Sequence, residues 1–184
     1  MQIISGAYRG RKLNLPRGAR PTQNRARIAL FNMLDAGIIS PGDTMNVWDA
    51  FAGSGAFGIE CLSRYAGANV VFTDISADSL KTIRANLSAL DIGSRAVVLN
   101  ADAITAADKY AAVSDLIFID PPYSESALGA ALVRKIAGSV RAGTIVIWEQ
   151  DGPSAVMPNA DAWDILRDKK YGRARFFIMQ RHDK

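Results

Sequence analysis

The chain has 184 residues, 49% hydrophobic and 22% charged, which supplies one ordinary core and rules out wholesale disorder. No apolar run approaches the ~18 residues that span a bilayer, and the opening MQIISGAYRGRKL lacks the apolar stretch of a secretory signal, so a cytoplasmic protein without membrane association is expected. One cysteine, Cys61, and one histidine, His182, exclude an internal disulfide and a cysteine-rich zinc site, argue against Ser-His-Asp chemistry, and leave no metal expected; the net charge is +4.

The first elements carry the most uneven charge. Residues 1–34 hold seven arginines and lysines and no acid. Gln2–Ser5 and Lys12–Leu15 around Gly6 and Gly10 read as a small hairpin. Arg20-Pro21-Thr22 leads into an amphipathic helix over Gln23–Asp35, with Thr22 as its N-cap and Ile28, Leu30, Phe31 and Leu34 as its apolar face. Residues 35–166 are net acidic, with eight basic and sixteen acidic side chains, and residues 167–184 are basic again, seven against two. Two basic ends around an acidic middle point to a polyanion held at the termini, with nucleic acid the leading partner class.

From Met45 the chain alternates strand and helix. Asn46–Phe51, Asn69–Asp74, Ala96–Asn100, Asp115–Asp120 and Thr144–Glu149 are near-continuous apolar runs, as parallel strands buried on both faces require. Helices are expected near Phe57–Tyr65, Ala77–Leu90 and Ser126–Val140. Trp163–Asp168, a turn at Tyr171-Gly172, and Ala174–Arg181 read as an antiparallel hairpin. The expected fold is α/β: a doubly wound, Rossmann-like sheet with an antiparallel C-terminal hairpin and a small basic N-terminal extension. The division expected is residues 1–36 as the extension and 37–184 as the main domain.

Asp49-Ala-Phe51-Ala-Gly53-Ser-Gly55-Ala-Phe-Gly58 follows the first strand and opens a helix, at the edge where open α/β sheets bind ligands. Glycines alone would pass as a dinucleotide fingerprint. Three acids decide against it: Asp49 before the turn, Asp74 ending the second strand and Asp102 after the third. They would repel a pyrophosphate and suit hydroxyls, an amino group, an ammonium and a sulfonium, the groups of S-adenosyl-L-methionine.

Asp120-Pro121-Pro122-Tyr123 at the end of the fourth strand resembles the signature of methyltransferases acting on exocyclic amino groups. Such a nitrogen is a poor nucleophile because its lone pair is delocalised into the ring. The Asp120 carboxylate and the Pro121 carbonyl can accept its two N–H bonds and turn it toward a donor methyl, while the prolines stiffen the loop. Tyr123 can stack on a base that has left its helix.

Joined to Ile4-Ser5-Gly6, Arg9-Gly10-Arg11-Lys12-Leu13, Arg20-Pro21-Thr22, Arg25, Arg27 and Leu30-Phe31-Asn32, these motifs make nearly the whole chain resemble the RsmD family of bacterial 16S rRNA guanine-N2 methyltransferases. That resemblance implies methyl transfer to one guanine of 16S rRNA, in the small ribosomal subunit or an assembly intermediate. It implies Asp49, Gly53 and Gly55 at the methionine part of the cofactor, Asp74 at the ribose, Asp102 at the adenine, Phe51 also at the cofactor, and Arg20 and Thr22 in a segment closing over it. Asp120, Pro121, Pro122 and Tyr123 would hold the base, and Arg9, Arg11, Lys12, Arg25 and Arg27 the RNA. The chain departs from the family at Asn24 and Ile28, where acids are usual, so either Arg25 and Arg27 are expected to be freer for phosphate or the arm is expected to be less ordered. It departs also at Asp74, commonly Glu, and at Ser76, often an acid.

One site per chain fits a monomer. Cys61, Trp48, Trp163, Phe176 and Phe177 read as core, His182 as exposed tail, Arg173 and Arg175 as either solvated strand or RNA surface, and Glu149 as a further candidate near the ligand edge. Two other functions use the same features: an adenine-N6 methyltransferase of DNA or RNA, and a non-catalytic RNA-binding assembly factor that keeps the fold.

Overall fold

The buried runs pair into one sheet of seven strands: β1 (Met45–Asp49), β2 (Ala68–Asp74), β3 (Ala96–Asn100), β4 (Leu116–Ile119), β5 (Ile145–Asp151), β6 (Trp163–Tyr171) and β7 (Ala174–Arg181). The order across the sheet is β3-β2-β1-β4-β5-β7-β6. The first five strands are parallel, β7 is antiparallel to β5, and β6 is antiparallel to β7. The computed structural model describes residues 1–17, 24–40 and 44–182. Arg20, Pro21 and Thr22, and with them the expected N-cap, lie outside the described residues.

Helices α1 (Asn24–Met33), α2 (Ala56–Arg64), α3 (Ala77–Leu90), α4 (Ala103–Tyr110) and α5 (Ser126–Ile136) cover the sheet. Successive residues of a strand point to opposite faces, and the core divides accordingly. Val47, Leu116, Phe118, Phe176 and Ile178 join Leu30, Phe31, Ile59, Leu62 and Ile83 on one face. Trp48, Ile117, Ile119, Phe177 and Met179 join Leu132, Val133 and Ile136 on the other. Every residue of β4 is buried, as a central parallel strand with helices on both sides demands.

Several boundaries differ from the sequence expectation. Ala50 and Phe51 leave the sheet and enter the glycine turn. The last predicted helix stops at Ile136 and not Val140, just ahead of Gly138. The helix predicted over Gln23–Asp35 gives way after Met33 to a wider turn at Leu34–Ile38, where Gly37 takes φ 99°. Helix α4 was not predicted: it buries only Ala103, Ala106 and Ala107, which give no large apolar side chains at helical spacing to read. The N-terminal hairpin reduces to one bridge, Gln2 with Lys12, flanked by bonds from Ile3 N to Arg11 O and Gly10 N to Ile3 O.

What fixes the amino-terminal residues is α2 and α3. Glu60, 1% exposed, accepts from the amides of Ile4 (2.8 Å) and Ser5 (2.9 Å) and from Arg64 Nε (2.8 Å). Ser63 Oγ donates to Ser5 O (2.6 Å) and accepts from Tyr8 N (3.0 Å), and Ser63 O accepts from Ala7 N (2.8 Å). Asn86 exchanges two bonds with the backbone of Asn14, and Asp78 accepts from Arg17 N. Ile3 and Leu13 are thereby buried in the same core as α1 and α2. Gly6 makes the contact possible: it takes φ +83°, and a Cβ there would lie 1.9 Å from Ser63 O.

Gly6→Ala is therefore expected to destabilise the protein by about 2–4 kcal/mol through backbone strain and displacement of the docked segment. Denaturant unfolding measures this; Gly10→Ala, where a Cβ meets nothing within 4 Å, isolates the cost of the positive φ alone.

Candidate active site

The turn after β1 is folded onto the ends of two strands. Gly53 and Gly55 take φ 53° and 75°, the left-handed conformation that a Cβ disfavours. Gly53 N donates to Asp74 Oδ2 at 2.8 Å, and Gly58 N, in the first turn of α2, donates to Asp49 Oδ2 at 3.1 Å. Ala52 N donates to Thr73 O, closing the turn against β2. At Gly58 a Cβ would lie 2.3 Å from the Phe72 ring, so α2 lies directly on the sheet. At Gly53 a Cβ would meet nothing within 4 Å; here the backbone faces open space, as a cradle for a ligand does.

The acids have distinct settings. Asp49 is 1% exposed, and burial pushes its carboxyl up to about 7; the Gly58 bond opposes this shift, and the charges of Asp120 and Asp74 add to it. Asp74 is half-buried, with Oδ1 accepting from Ser76 N at 2.8 Å, while Ser76 Oγ caps α3. Asp102 is exposed and caps α4: its Oδ1 accepts from Thr105 N (2.9 Å) and Thr105 Oγ1 (3.2 Å). Phe51 is half-buried against the second core face. Ile75 follows Asp74 and is 69% exposed, a large apolar side chain at the same edge. Sequence pattern does not single it out, because one Ile after a strand-ending acid reads as loop.

The second part of the site follows β4. Pro121 is buried, and its seat depends on Gly129 of α5, where a Cβ would lie 2.9 Å from Pro121 Cγ and 2.6 Å from Trp148 Nε1. Glu125 N donates to Pro122 O at 2.7 Å, tightening the loop into one helical turn. Tyr123 stays 37% exposed, its hydroxyl 3.4 Å from Glu149 Oε1 and its ring 5.2 Å from the Arg173 guanidinium. Burial raises the Asp120 carboxyl to about 7. Glu149, 4% exposed, is raised well above the carboxylate range by burial and then by the Asp120 charge. Burial and the Glu149 charge likewise raise the Tyr123 phenol. Arg173 is held bidentately by Asp151 at 2.7 and 2.8 Å. Glu149 was a further candidate from the sequence; the grouping of Asp151 and Arg173 at Tyr123 arises only when β5 and β7 pair.

The basic segment divides. Arg9, Arg11, Lys12 and Arg25 are exposed, with Arg11 Nη2 donating to Ala89 O at 3.1 Å. Arg27 corrects the expectation of a free phosphate contact. It is 5% exposed, and its guanidinium bonds the Gln2 carbonyl and the Met1 sulfur, so it organises the amino terminus from inside. Arg20 and Thr22 lie outside the described residues. His182 is not a loose tail: Nε2 meets Ala160 O at 2.8 Å and Nδ1 lies 3.3 Å from Asp164. Cys61, Trp48, Trp163, Phe176 and Phe177 are core, as expected. Among the described residues no group of three or more His, Cys, Asp or Glu side chains is placed to hold a metal ion.

Carboxylates at the ends of β1 and β2 beside an open glycine backbone fit a ligand with hydroxyls and positive charge, and repel a phosphate. The strand order with its antiparallel β7 and this acid-lined turn define an S-adenosylmethionine-dependent methyltransferase. The family described as conserved hypothetical protein 95 matches residues 1–180. Ribosomal RNA small subunit methyltransferase D of Escherichia coli K12 is 34% identical over 98% of this chain and 90% of its own length. The putative rRNA methyltransferase YlbH of Bacillus subtilis is 36% identical over 72% of each chain. The solved structure of the putative methyltransferase yhhF from Escherichia coli superposes with a TM-score of 0.81 at 30% identity, covering 100% of this chain and 99% of that one. The chain belongs to this family, that of the RsmD methyltransferases.

The Asp49 carboxyl titrates near 7 folded and near 3.8 unfolded, so the folded state holds an extra proton between those values. Its contribution to stability is therefore full below about pH 4 and lost as pH rises through about 7. Asp49→Asn removes this loss. Thermal unfolding between pH 5 and 8 is expected to fall less steeply for the variant than for the native protein; equal slopes would contradict the shift.

Proposed function

We propose that this chain methylates the exocyclic N2 of a guanine in 16S rRNA, with the small ribosomal subunit or an assembly intermediate as substrate, acting as a monomer in the cytoplasm. The observation that carries this reading is the Asp120-Pro121-Pro122-Tyr123 loop: a half-buried carboxyl whose charge is felt at Asp49, a rigid backbone and a half-exposed aromatic ring. The names of the curated relatives, which specify the small ribosomal subunit, support the substrate class.

In this reading Asp74 accepts from ribose hydroxyls, the backbone at Gly53 and Gly55 lets the methionine part approach, and Asp49 faces the cationic end. Ile75 covers the adenine, and Asp102 stands at its edge while capping α4. S-adenosylmethionine, when bound, supplies an electrophilic methyl group. The Asp120 carboxylate and the Pro121 carbonyl accept the two N–H bonds of the target amino group, and Pro122 fixes the loop that aims them. Tyr123 stacks on the base once it is out of its helix. As the nitrogen–carbon bond forms, the methyl group's bond to sulfur would break with its electron pair leaving on a neutral thioether; the nitrogen becomes acidic, and its proton passes to Asp120. The ionised form of Asp120 is thus the active one, and transfer rises with pH as that carboxyl loses its proton near 7.

Residues 1–36 serve as the RNA-holding extension to a catalytic unit of residues 37–184. The exposed charges of Arg9, Arg11, Lys12 and Arg25 meet phosphates, where bound counterions are released on contact.

The test is methyl transfer from labelled S-adenosylmethionine to unmodified small subunits, naked 16S rRNA and duplex DNA, with nucleoside analysis of the product. N2-methylguanine on subunits is expected. Asp120→Ala should lower the rate at least about a hundredfold while leaving cofactor affinity nearly unchanged. Label on adenine or in DNA would overturn the substrate assignment.

Replacing Arg9, Arg11 and Lys12 together by alanine should weaken RNA binding and flatten its log–log salt dependence by up to about 2. A salt slope that does not change would remove this segment from the RNA interface.

A further inference from the structure

Tyr123 stands between two groups supplied by the strands beside β4: β5, paired with it, and the β6–β7 turn beyond. From β5, buried Glu149 reaches its hydroxyl at 3.4 Å. From the turn joining β6 to β7, the Arg173 guanidinium covers its ring at 5.2 Å. Arg173 is not a loose surface cation: Asp151, only 12% exposed, fixes it through two bonds, and its carbonyl accepts from Gly152 N at 2.7 Å. The guanidinium plane is therefore set before any substrate arrives. A tyrosine side chain with two free torsions would otherwise sample several rotamers on an exposed loop.

We propose that Glu149 and Arg173 are positioning residues for Tyr123, one holding the phenol hydroxyl and the other one face of the ring, so that the target guanine stacks on the opposite face. This rests on the reading of the Asp120–Tyr123 loop as the base-binding loop. Arg173 thereby works through the ring and not as a phosphate contact, although its position in the basic C-terminal segment suggests the latter. The arrangement also limits the base to one approach: a ring already capped by a guanidinium admits a single stacking partner. Glu149 adds a second constraint. Facing it are the Tyr123 hydroxyl and the Asp120 carboxyl, with Asp151 and Arg173 beyond the ring. Burial and the neighbouring Asp120 charge favour the protonated form of Glu149, which leaves the negative charge of this corner on Asp120, where the amino group needs it.

The experiment is a set of double-mutant cycles read by single-turnover transfer at saturating RNA. Arg173→Met and Glu149→Leu are each expected to slow transfer about three- to tenfold without changing cofactor affinity, and Glu149→Gln, which retains a hydrogen-bonding oxygen, to stay near the native rate. The Glu149→Leu effect should vanish in a Tyr123→Phe background. That of Arg173→Met should persist there and vanish in Tyr123→Ala. In the free protein, NMR should show the Arg173 side-chain protons shifted upfield by the ring, a shift that Tyr123→Ala abolishes.

An Arg173→Met effect undiminished in Tyr123→Ala, or one seen only as salt-dependent loss of RNA affinity, would overturn the proposal and make Arg173 a phosphate contact. Absence of the ring shift would overturn it as well, on an exposed variant whose folding is not at stake. Failure of the parent reading looks different: transfer would then survive Asp120→Ala.

Discussion

Gly58 is the point on which the crevice depends. Its amide binds Asp49 at the end of β1, and its missing side chain lets α2 lie against Phe72 and Val70 of β2. Because α2 cannot rise off the sheet without losing that contact, the turn before it has little freedom, and Gly53 and Gly55 must take left-handed conformations to complete it. The amide of Gly53 then falls on Asp74. The open glycine backbone and both strand-end acids thus occupy fixed places because one helix packs through a glycine directly onto the Phe72 ring and Val70.

That packing has an electrostatic cost, met by chemistry. Asp49, Asp120 and Glu149 are carboxyls held near one edge of the sheet, and burial raises all three. A protein selected for stability alone would place apolar groups there. Acids pushed toward their protonated forms make sense beside a cationic methyl donor and an amino group that must lose a proton. Of the positive charges, Arg173 at the β6–β7 turn stands over Tyr123, while Arg9, Arg11, Lys12 and Arg25 are exposed on the amino-terminal segment.

The sequence was informative wherever one residue type has few physical uses. Buried apolar runs gave the five parallel strands, and their terminal acids with the glycine turn gave the ligand edge. Asp120–Tyr123 was legible because two prolines after a buried strand have little structural purpose. What escaped had no such signature. Helix α4 hides behind alanines, whose spacing carries no weight. Asp102, which the sequence groups with the ligand-edge acids, also caps α4 through the bond from Thr105. Arg27 failed as a phosphate residue because charge in a sequence says nothing of burial: the absence of an acid at Ile28 seemed to free it, whereas Gln2 O and Met1 receive it. The grouping around Tyr123 needed the register of β5 against β7, which brings Asp151 opposite Ala174, one residue beyond Arg173.

The bonds that hold the amino-terminal segment join residues far apart in the chain: 56 positions separate Ile4 from Glu60, 72 separate Asn14 from Asn86, and 78 separate Arg11 from Ala89. A ribosome makes this segment before α2 and α3, so these acceptors do not exist until those helices have been synthesised. Docking must then close loops of that length, at an entropy that grows only slowly with their size. The segment thus reaches its place only after α3 has emerged, and until then the amides that Glu60 and Asn86 accept from remain in water.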